Sequence, residues 1–326
     1  MKTIRWGIIG CGDVTEVKSG PGFQKARGSQ LVAVMRRNAD LAQDYAQRHG
    51  VPKWYADAEA LIHDPEVDAV YIATPPSSHR AYTLAVARAG KPAYVEKPMA
   101  LNALECQEMV AVCRAAGTPL FVAYYRRALP RFLKARELVS SGAIGELRFV
   151  EIFLTQPLQV HPPDQLPWRL RPEIAGGGLF MDLASHTLDF LDFVLGPVSR
   201  ARGFARNQAG AYPAEDIVSA AFEFENGIQA MGTWCFSSFE AADRITFVGS
   251  GGTVTLSMFG SEPVQLETPG GSEAFDRPNP LHVQQPLIQQ VVDELLGIGS
   301  CVSTGESALR TSWVMDQLLK ERFPHG

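Results

Sequence analysis

Ile4-Arg5-Trp6-Gly7-Ile8-Ile9-Gly10-Cys11-Gly12-Asp13-Val14-Thr15 is the stretch that decides the fold. The apolar run up to Ile9 reads as a buried strand, and Gly10-Cys11-Gly12 reads as a tight turn leading into a helix. In that setting the first glycine makes the turn, and the second lets the backbone approach a pyrophosphate at the helix N-terminus. A third small residue would complete the fingerprint, and Thr15 stands in its place. Taken alone, Gly-x-Gly fits an ordinary glycine-rich turn equally well, so the residues downstream must decide.

Downstream, strands and helices alternate. A second apolar strand, Leu31–Met35, arrives about twenty residues on, as a strand–helix–strand unit requires. It ends in Arg36-Arg37-Asn38 without an acid. An acid there accepts from the adenosine ribose 2′-hydroxyl, whereas a guanidinium pairs with a 2′-phosphate. The pattern therefore points to NADP(H) in preference to NAD(H), against the plainer reading of two exposed arginines at a strand end. Asn38 suits the N-cap of a helix over Ala39–His49. Helical pattern over Ala56–Ile62 precedes a strand at Val67–Ala73, which ends in Thr74-Pro75-Pro76. A helix from His79 to Ala89 closes at Gly90, the residue type favoured just past a helix end. Ala93-Tyr94-Val95 then runs into Glu96-Lys97-Pro98, followed by a helix over Ala103–Ala116 and a strand at Leu120–Tyr124. This rhythm predicts an α/β fold with a doubly wound parallel sheet, a Rossmann domain over residues 1–124. Proline cannot continue a ladder, so Lys97 sits where its strand stops, at the sheet end that binds ligands.

Pro130–Ser140 reads as a linking helix, and from Gly145 the pattern turns β-rich. Strands are predicted at Leu147–Phe153, Ala201–Arg206, Ile217–Glu225, Ile228–Phe236, Asp243–Val248 and Thr253–Met258. Asn226-Gly227 marks a hairpin. Residues 125–326 thus form a C-terminal α/β domain with a large, mostly antiparallel sheet. Two closing helices, Gln284–Gly297 and Glu306–Lys320, could pack back on the first domain. Within this half, Gly176-Gly177-Gly178 leads into a predicted helix from Gly178 to Leu195, on which Asp182 and His186 stand four apart. That spacing lets a carboxylate orient an imidazole for acid/base work. It also suits a surface pair worth about 0.3–0.5 kcal/mol, or half of a metal site. His161 and Asp164 lie in a separate Pro-rich loop, so no metal is expected.

Bulk composition excludes other classes. Hydrophobic content of 46% with 20% charge suits a globular protein with a full core. A net charge of −5 without a basic run speaks against nucleic acid or an anionic membrane as partner. The five cysteines are scattered without CxxC spacing, as expected of reduced thiols in a cytoplasmic protein. No apolar run approaches a membrane span, and no secretory leader is expected.

Gly10-Cys11-Gly12, Glu96-Lys97-Pro98 and Gly176-Gly177-Gly178 followed by Asp182 and His186, in this order, resemble the Gfo/Idh/MocA family of pyridine-nucleotide oxidoreductases. The resemblance implies a Rossmann domain, a sheet-bearing second domain often used to build oligomers, and a triad of Lys97, Asp182 and His186. A cis Lys97–Pro98 bond is among its expectations. Trp168-Arg169-Leu170 is similar to the 1,5-anhydro-D-fructose reductases, and the N-terminal half to the dimeric dihydrodiol dehydrogenases, both mainly NADP enzymes. The expected cofactor contacts are Gly10, Gly12, Asp13, Val14, Arg36, Arg37, Thr74, Pro75, His79, Glu96 and Lys97. Tyr125, Trp168 and Arg169 are the substrate candidates. The expected activity is hydride transfer between NADP(H) and a sugar or cyclic polyol, in a homodimer or homotetramer built through the C-terminal sheet. Dihydrodiol oxidation is the rival activity, and a non-catalytic NADP-binding regulator the rival from another class.

Overall fold

The computed structural model describes residues 2–320. The chain forms two compact units. The first comprises Met1–Leu129 with Pro280–Leu309; the second comprises Pro130–Asn279 with the residues from Arg310 on.

Six parallel strands build the first unit: β1 (Ile4–Ile9), β2 (Ser29–Met35), β3 (Lys53–Tyr55), β4 (Ala69–Ile72), β5 (Ala93–Val95) and β6 (Leu120–Val122). Their spatial order is β3-β2-β1-β4-β5-β6, so the sheet winds outward in both directions from β1 and β4. Side chains alternate between two buried faces, which is why the strands read as unbroken apolar runs. Ile9, Met35, Ile72, Val95 and Val122 pack on one face with Leu61, Leu84 and Met109. Ile8, Val34, Tyr71, Tyr94 and Phe121 pack on the other with Phe23 and with Leu287, Ile288 and Val291. Those last three come from helix Gln285–Leu295, which crosses Gly22 so closely that a Cβ there would lie 2.8 Å from Ile288 Cδ1. Helices Ala39–His49 and Ala103–Ala115 are capped by Asn38 and Asn102, whose side chains accept from Leu41 and Glu105 amides. The helix expected from Ala56 starts at Ala58, because the Asp57 side chain accepts from the Ala60 amide and caps it instead. The edge strand β3 has no counterpart in the sequence reading.

The second unit holds an eight-stranded sheet: β7 (Leu147–Pro157), β8 (Val198–Arg206), β9 (Ile217–Phe224), β10 (Gln229–Ser238), β11 (Ala242–Gly249), β12 (Thr253–Leu256), β13 (Val264–Thr268) and β14 (Gly271–Phe275). The order is β14-β13-β12-β11-β7-β10-β9-β8, with only β7 and β10 parallel. One face is buried under helices Pro130–Ser140 and Ser185–Leu195, which meet through Phe132–Phe190 at 5.1 Å; Phe190 reaches Phe247 of the sheet at 6.2 Å, and Phe180, just ahead of the second helix, reaches Trp234 at 5.2 Å between ring centres. The expected Asn226-Gly227 hairpin is present, with Gly227 at φ +83° and its amide donating to the Phe224 carbonyl. β13 and β14 escaped the sequence reading because they are short and β14 is largely exposed.

The helix expected over Gly178–Leu195 is not uniform. Phe180–Ala184 forms a π-helical turn, and the α-helix runs from Ser185 to Leu195. Four residues are then just under one turn instead of just over, so Asp182 and His186 remain neighbours along the axis at a changed azimuth.

Candidate active site

In the first unit, the strand order reverses between β1 and β4, and their carboxyl ends bring Gly10 beside Thr74. Gly10 sits at φ +90°, and a Cβ there would lie 2.7 Å from Thr74 Cγ2 and 3.0 Å from Ala73 backbone. Only glycine fits that turn without strain. The Gly10 and Cys11 amides both donate to the Met35 carbonyl, tying the turn to the end of β2. Gly12 is different: its backbone is extended, and the nearest atom to a Cβ there would be the Gly10 carbonyl oxygen at 3.9 Å. The backbone of Gly12 therefore faces open space that a side chain would fill, a cradle suited to a pyrophosphate. Asp13 and Val14 follow at the start of the short helix Asp13–Val17.

Thr15 fills its unexpected place by chemistry of its own. Its hydroxyl accepts from the Gly12 amide at 3.0 Å and donates to the Gly12 carbonyl at 2.7 Å, closing the turn. Close packing comes instead from Gly20, where a Cβ would run into the Thr15 carbonyl and the Tyr45 hydroxyl. Arg48 grips Glu16 through both terminal guanidinium nitrogens at 2.8 and 2.9 Å, and His49 Nε2 lies 2.7 Å from the same carboxylate. Arg48, foremost, holds the Glu16 carboxyl down at about 2. Cys11 is buried, and burial pushes its thiol up to about 11. Arg36 and Arg37 are exposed directly after Met35, whose carbonyl holds the glycine turn.

Between β4 and β5 lies a buried polar network. His79 is fully buried; Nε2 lies 2.7 Å from the Thr74 carbonyl, and Nδ1 lies 3.1 Å from that of Pro98. Burial lowers its pKa. The imidazole thus ties the loop after β4, with Thr74 and Pro75, to the loop after β5. Ser78 Oγ donates to Thr74 Oγ1 and Pro75 carbonyl, stiffening the first of those loops. Glu96 is buried as well. Its Oε1 accepts from Tyr71 hydroxyl at 2.5 Å and Gln284 Nε2 at 2.7 Å, and its Oε2 accepts from the Lys97 amide at 3.1 Å. Lys97 follows β5 with intermediate exposure, and its bond to Pro98 is cis. Tyr125 accepts through its hydroxyl from Arg126 at 3.2 Å.

In the second unit, Trp168–Leu170 forms a single 3₁₀ turn ahead of helix Pro172–Ala175, which Gly176 closes at φ +85°. Gly178 packs so tightly that a Cβ there would lie 2.7 Å from Ala214 Cβ, and its amide donates to buried Glu215. That anchor fixes the start of the π-turn carrying Asp182. Arg169 Nε lies 3.2 Å from Asp182 Oδ2, while its guanidinium also stacks over Trp168. The predicted substrate candidate Arg169 is therefore brought together with the predicted triad member Asp182. His186 is buried to 3% exposure, with the Phe259 ring edge-to-face at 6.0 Å. Sequence reasoning passed over Phe259 and Gln284, because each acts through a contact distant in sequence. Among the described residues, no group of three or more His, Cys, Asp or Glu could hold a metal ion, and no helix is long and apolar enough to cross a membrane.

A doubly wound sheet with an open glycine cradle at its switch point defines the class of dinucleotide-binding domains. The profile of the oxidoreductase family with an NAD-binding Rossmann fold matches residues 4–124, and that of the GFO/IDH/MocA C-terminal domain matches residues 132–255. The chain belongs to the GFO/IDH/MocA oxidoreductase family. It is 41% identical to oxidoreductase P35 of Formosa agariphila over 96% of this chain and 97% of that one. It is 29% identical to 1,5-anhydro-D-fructose reductase of Ensifer adhaerens, covering 94% and 92%. It is 34% identical to mouse trans-1,2-dihydrobenzene-1,2-diol dehydrogenase, covering 72% and 69%. Among solved structures, the aldose-aldose oxidoreductase of Caulobacter crescentus, complexed with glycerol, superposes with a TM-score of 0.85 at 25% identity, covering 98% and 97%.

Proposed function

We propose that this oxidoreductase transfers a hydride reversibly between NADP(H) and the carbinol or carbonyl carbon of a sugar or cyclic polyol. The observation that carries the reading is Lys97, which follows β5 after Glu96, at the carboxyl end of a sheet whose open cradle is Gly12. The nicotinamide, when bound, supplies or accepts the hydride. Gly10, Gly12, Asp13 and Val14 hold the pyrophosphate turn, and Arg36 and Arg37 face the 2′-phosphate. Thr74 and Pro75 line the crevice, while His79 and Glu96, both buried, act by fixing the loops that carry Thr74 and Lys97. Lys97 donates a hydrogen bond to the reacting oxygen and stabilises its developing charge. His186 gives that oxygen a proton during reduction and takes it during oxidation, with Asp182 setting the imidazole. Trp168, Arg169 and Tyr125 serve the substrate side, Arg169 by holding Asp182. The names of the fructose-derivative reductase and the aldose oxidoreductase support a sugar as substrate. Phe153, Phe204 and Met231, exposed on the open face of the eight-stranded sheet, support a homodimer or homotetramer through that face. The working location is the cytoplasm.

Dihydrodiol oxidation is the second reading, favoured by the 34% identity to the mouse enzyme. Steady-state assays with NADPH plus sugar ketones, and with NADP plus cyclic diols, separate the two. Turnover of sugar ketones that Lys97→Ala and His186→Ala each lower by about 10²–10⁴-fold supports the proposal. Turnover confined to diols, or kept in both variants, overturns it.

A further inference from the structure

The loop between β12 and β13 is held with unusual thoroughness for a connection of seven residues between Leu256 and Val264. Asp243, on β11, accepts through Oδ1 from the Met258 amide at 2.8 Å, and through Oδ2 from the Phe259 amide at 2.5 Å and the Gly260 amide at 3.2 Å. Arg131, from helix Pro130–Ser140 and only 2% exposed, donates to the carbonyls of Ser257 at 2.5 Å, Gly260 at 2.5 Å and Glu262 at 3.4 Å. Ser257 Oγ donates to Glu262 Oε2 at 2.7 Å across the same loop. Carboxylate and guanidinium thus grip one peptide run from its donor and acceptor sides. A buried guanidinium that gives three hydrogen bonds to the carbonyls of one loop directs attention to what that loop presents.

What it presents is Phe259. Its ring meets the imidazole of His186 at 6.0 Å and 73°. A histidine's second side-chain torsion is broad and two-fold, so rotamer preference alone does not fix the plane of the ring. An edge-to-face aromatic partner on a rigid loop adds a preference for one plane, beside the hold given to Asp182, because such pairs favour that geometry. Resting on the acid/base role given to His186 above, we propose that Phe259 is a positioning residue for the reaction, holding the His186 imidazole plane in the orientation that delivers its proton, with Asp243 and Arg131 as the clamp that keeps Phe259 in place.

The test is a double-mutant cycle on the full-length protein with NADPH and the sugar ketone that the assays above select. Phe259→Leu keeps apolar bulk without a ring, and Phe259→Tyr retains the ring. The expected result is kcat lowered about tenfold in Phe259→Leu, with KM little changed and thermal stability held. Phe259→Tyr stays within about twofold of the unmodified protein, a rescue that loss of a mere packing contact would not require. In a His186→Ala background, Phe259→Leu produces no further loss, since there is no ring left to orient. Asp243→Asn, which leaves both rings in place but loosens the loop, lowers kcat in the same direction and likewise only when His186 is present. Losses that multiply independently of His186, or an unaltered kcat in Phe259→Leu, overturn the positioning role. Full turnover in His186→Ala by itself overturns the acid/base reading, and this inference with it.

Discussion

Two glycines flanking Cys11 are predicted to respond to the same substitution in opposite ways. Gly10→Ala places a Cβ at φ +90°, 2.7 Å from Thr74 Cγ2 and 3.0 Å from Ala73 backbone. Left-handed backbone costs an L-residue about 1–2 kcal/mol, and relieving the overlap costs about 1–3 kcal/mol more. The loss of about 2–5 kcal/mol falls on the protein without cofactor. Gly12→Ala meets nothing closer than 3.9 Å in extended backbone, so it leaves unfolding unchanged or gains up to about 1 kcal/mol. Its Cβ instead occupies the open side of the cradle. Losing one amide bond to a charged phosphate is worth about 1.5–3 kcal/mol, or about 10- to 150-fold in Kd. Urea unfolding of both variants without nucleotide, beside calorimetric titration with NADPH, reads the two effects separately. A Gly12→Ala protein that binds NADPH as tightly as the unmodified one would refute the cradle and leave an ordinary glycine turn.

Other predictions follow from the same geometry. Arg36→Ala and Arg37→Ala should each weaken NADPH binding about tenfold while leaving NADH nearly unchanged; equal affinities of the unmodified protein for the two nucleotides would contradict the 2′-phosphate reading. Tyr71→Phe removes a buried hydroxyl that donates to Glu96, and should cost about 1.5–3 kcal/mol of stability in denaturant unfolding; a change near zero would mean that the network is dispensable. Glu16, held down to about 2 from 4.5, chiefly by Arg48, adds stability that is complete above its unfolded value and fades as pH falls toward 2. The melting-temperature gap between the unmodified protein and Glu16→Gln should therefore be widest near neutral pH, narrow below 4.5 and close near pH 2; a gap constant with pH would show that the ion pair with Arg48 and His49 contributes nothing.

The parallel sheet was legible because strands buried on both faces leave unbroken apolar runs, and because Gly50, Gly90 and Gly117 punctuate the helices between them. The antiparallel half was legible where one face is buried, as in β9 with its alternating Val218, Ala220, Phe222 and Phe224. β3 and β14 were not, since three and five residues at a sheet edge carry too little pattern. Spacing alone also cannot distinguish a π-turn from an α-turn at Asp182. Thr15 shows the reverse limit: a residue that departs from a fingerprint serves the same turn through its hydroxyl. Of the proposed site, Lys97 and His186 stood out through motifs local in sequence. The clamp on the Phe259 loop did not, since Arg131 lies more than a hundred residues from Ser257 and Asp243 reaches the loop amides from a neighbouring strand.

The central claim is that a hydride moves directly from nicotinamide C4 to a substrate carbon while Lys97 and His186 manage the oxygen. Single-turnover reaction of NADPH deuterated at C4 with a sugar ketone, read by mass and NMR of the alcohol, tests it. The account predicts deuterium on the carbinol carbon, at a rate about 10²–10⁴-fold slower in His186→Ala or Lys97→Ala. Deuterium lost to water, or transfer undiminished in both variants, would contradict it.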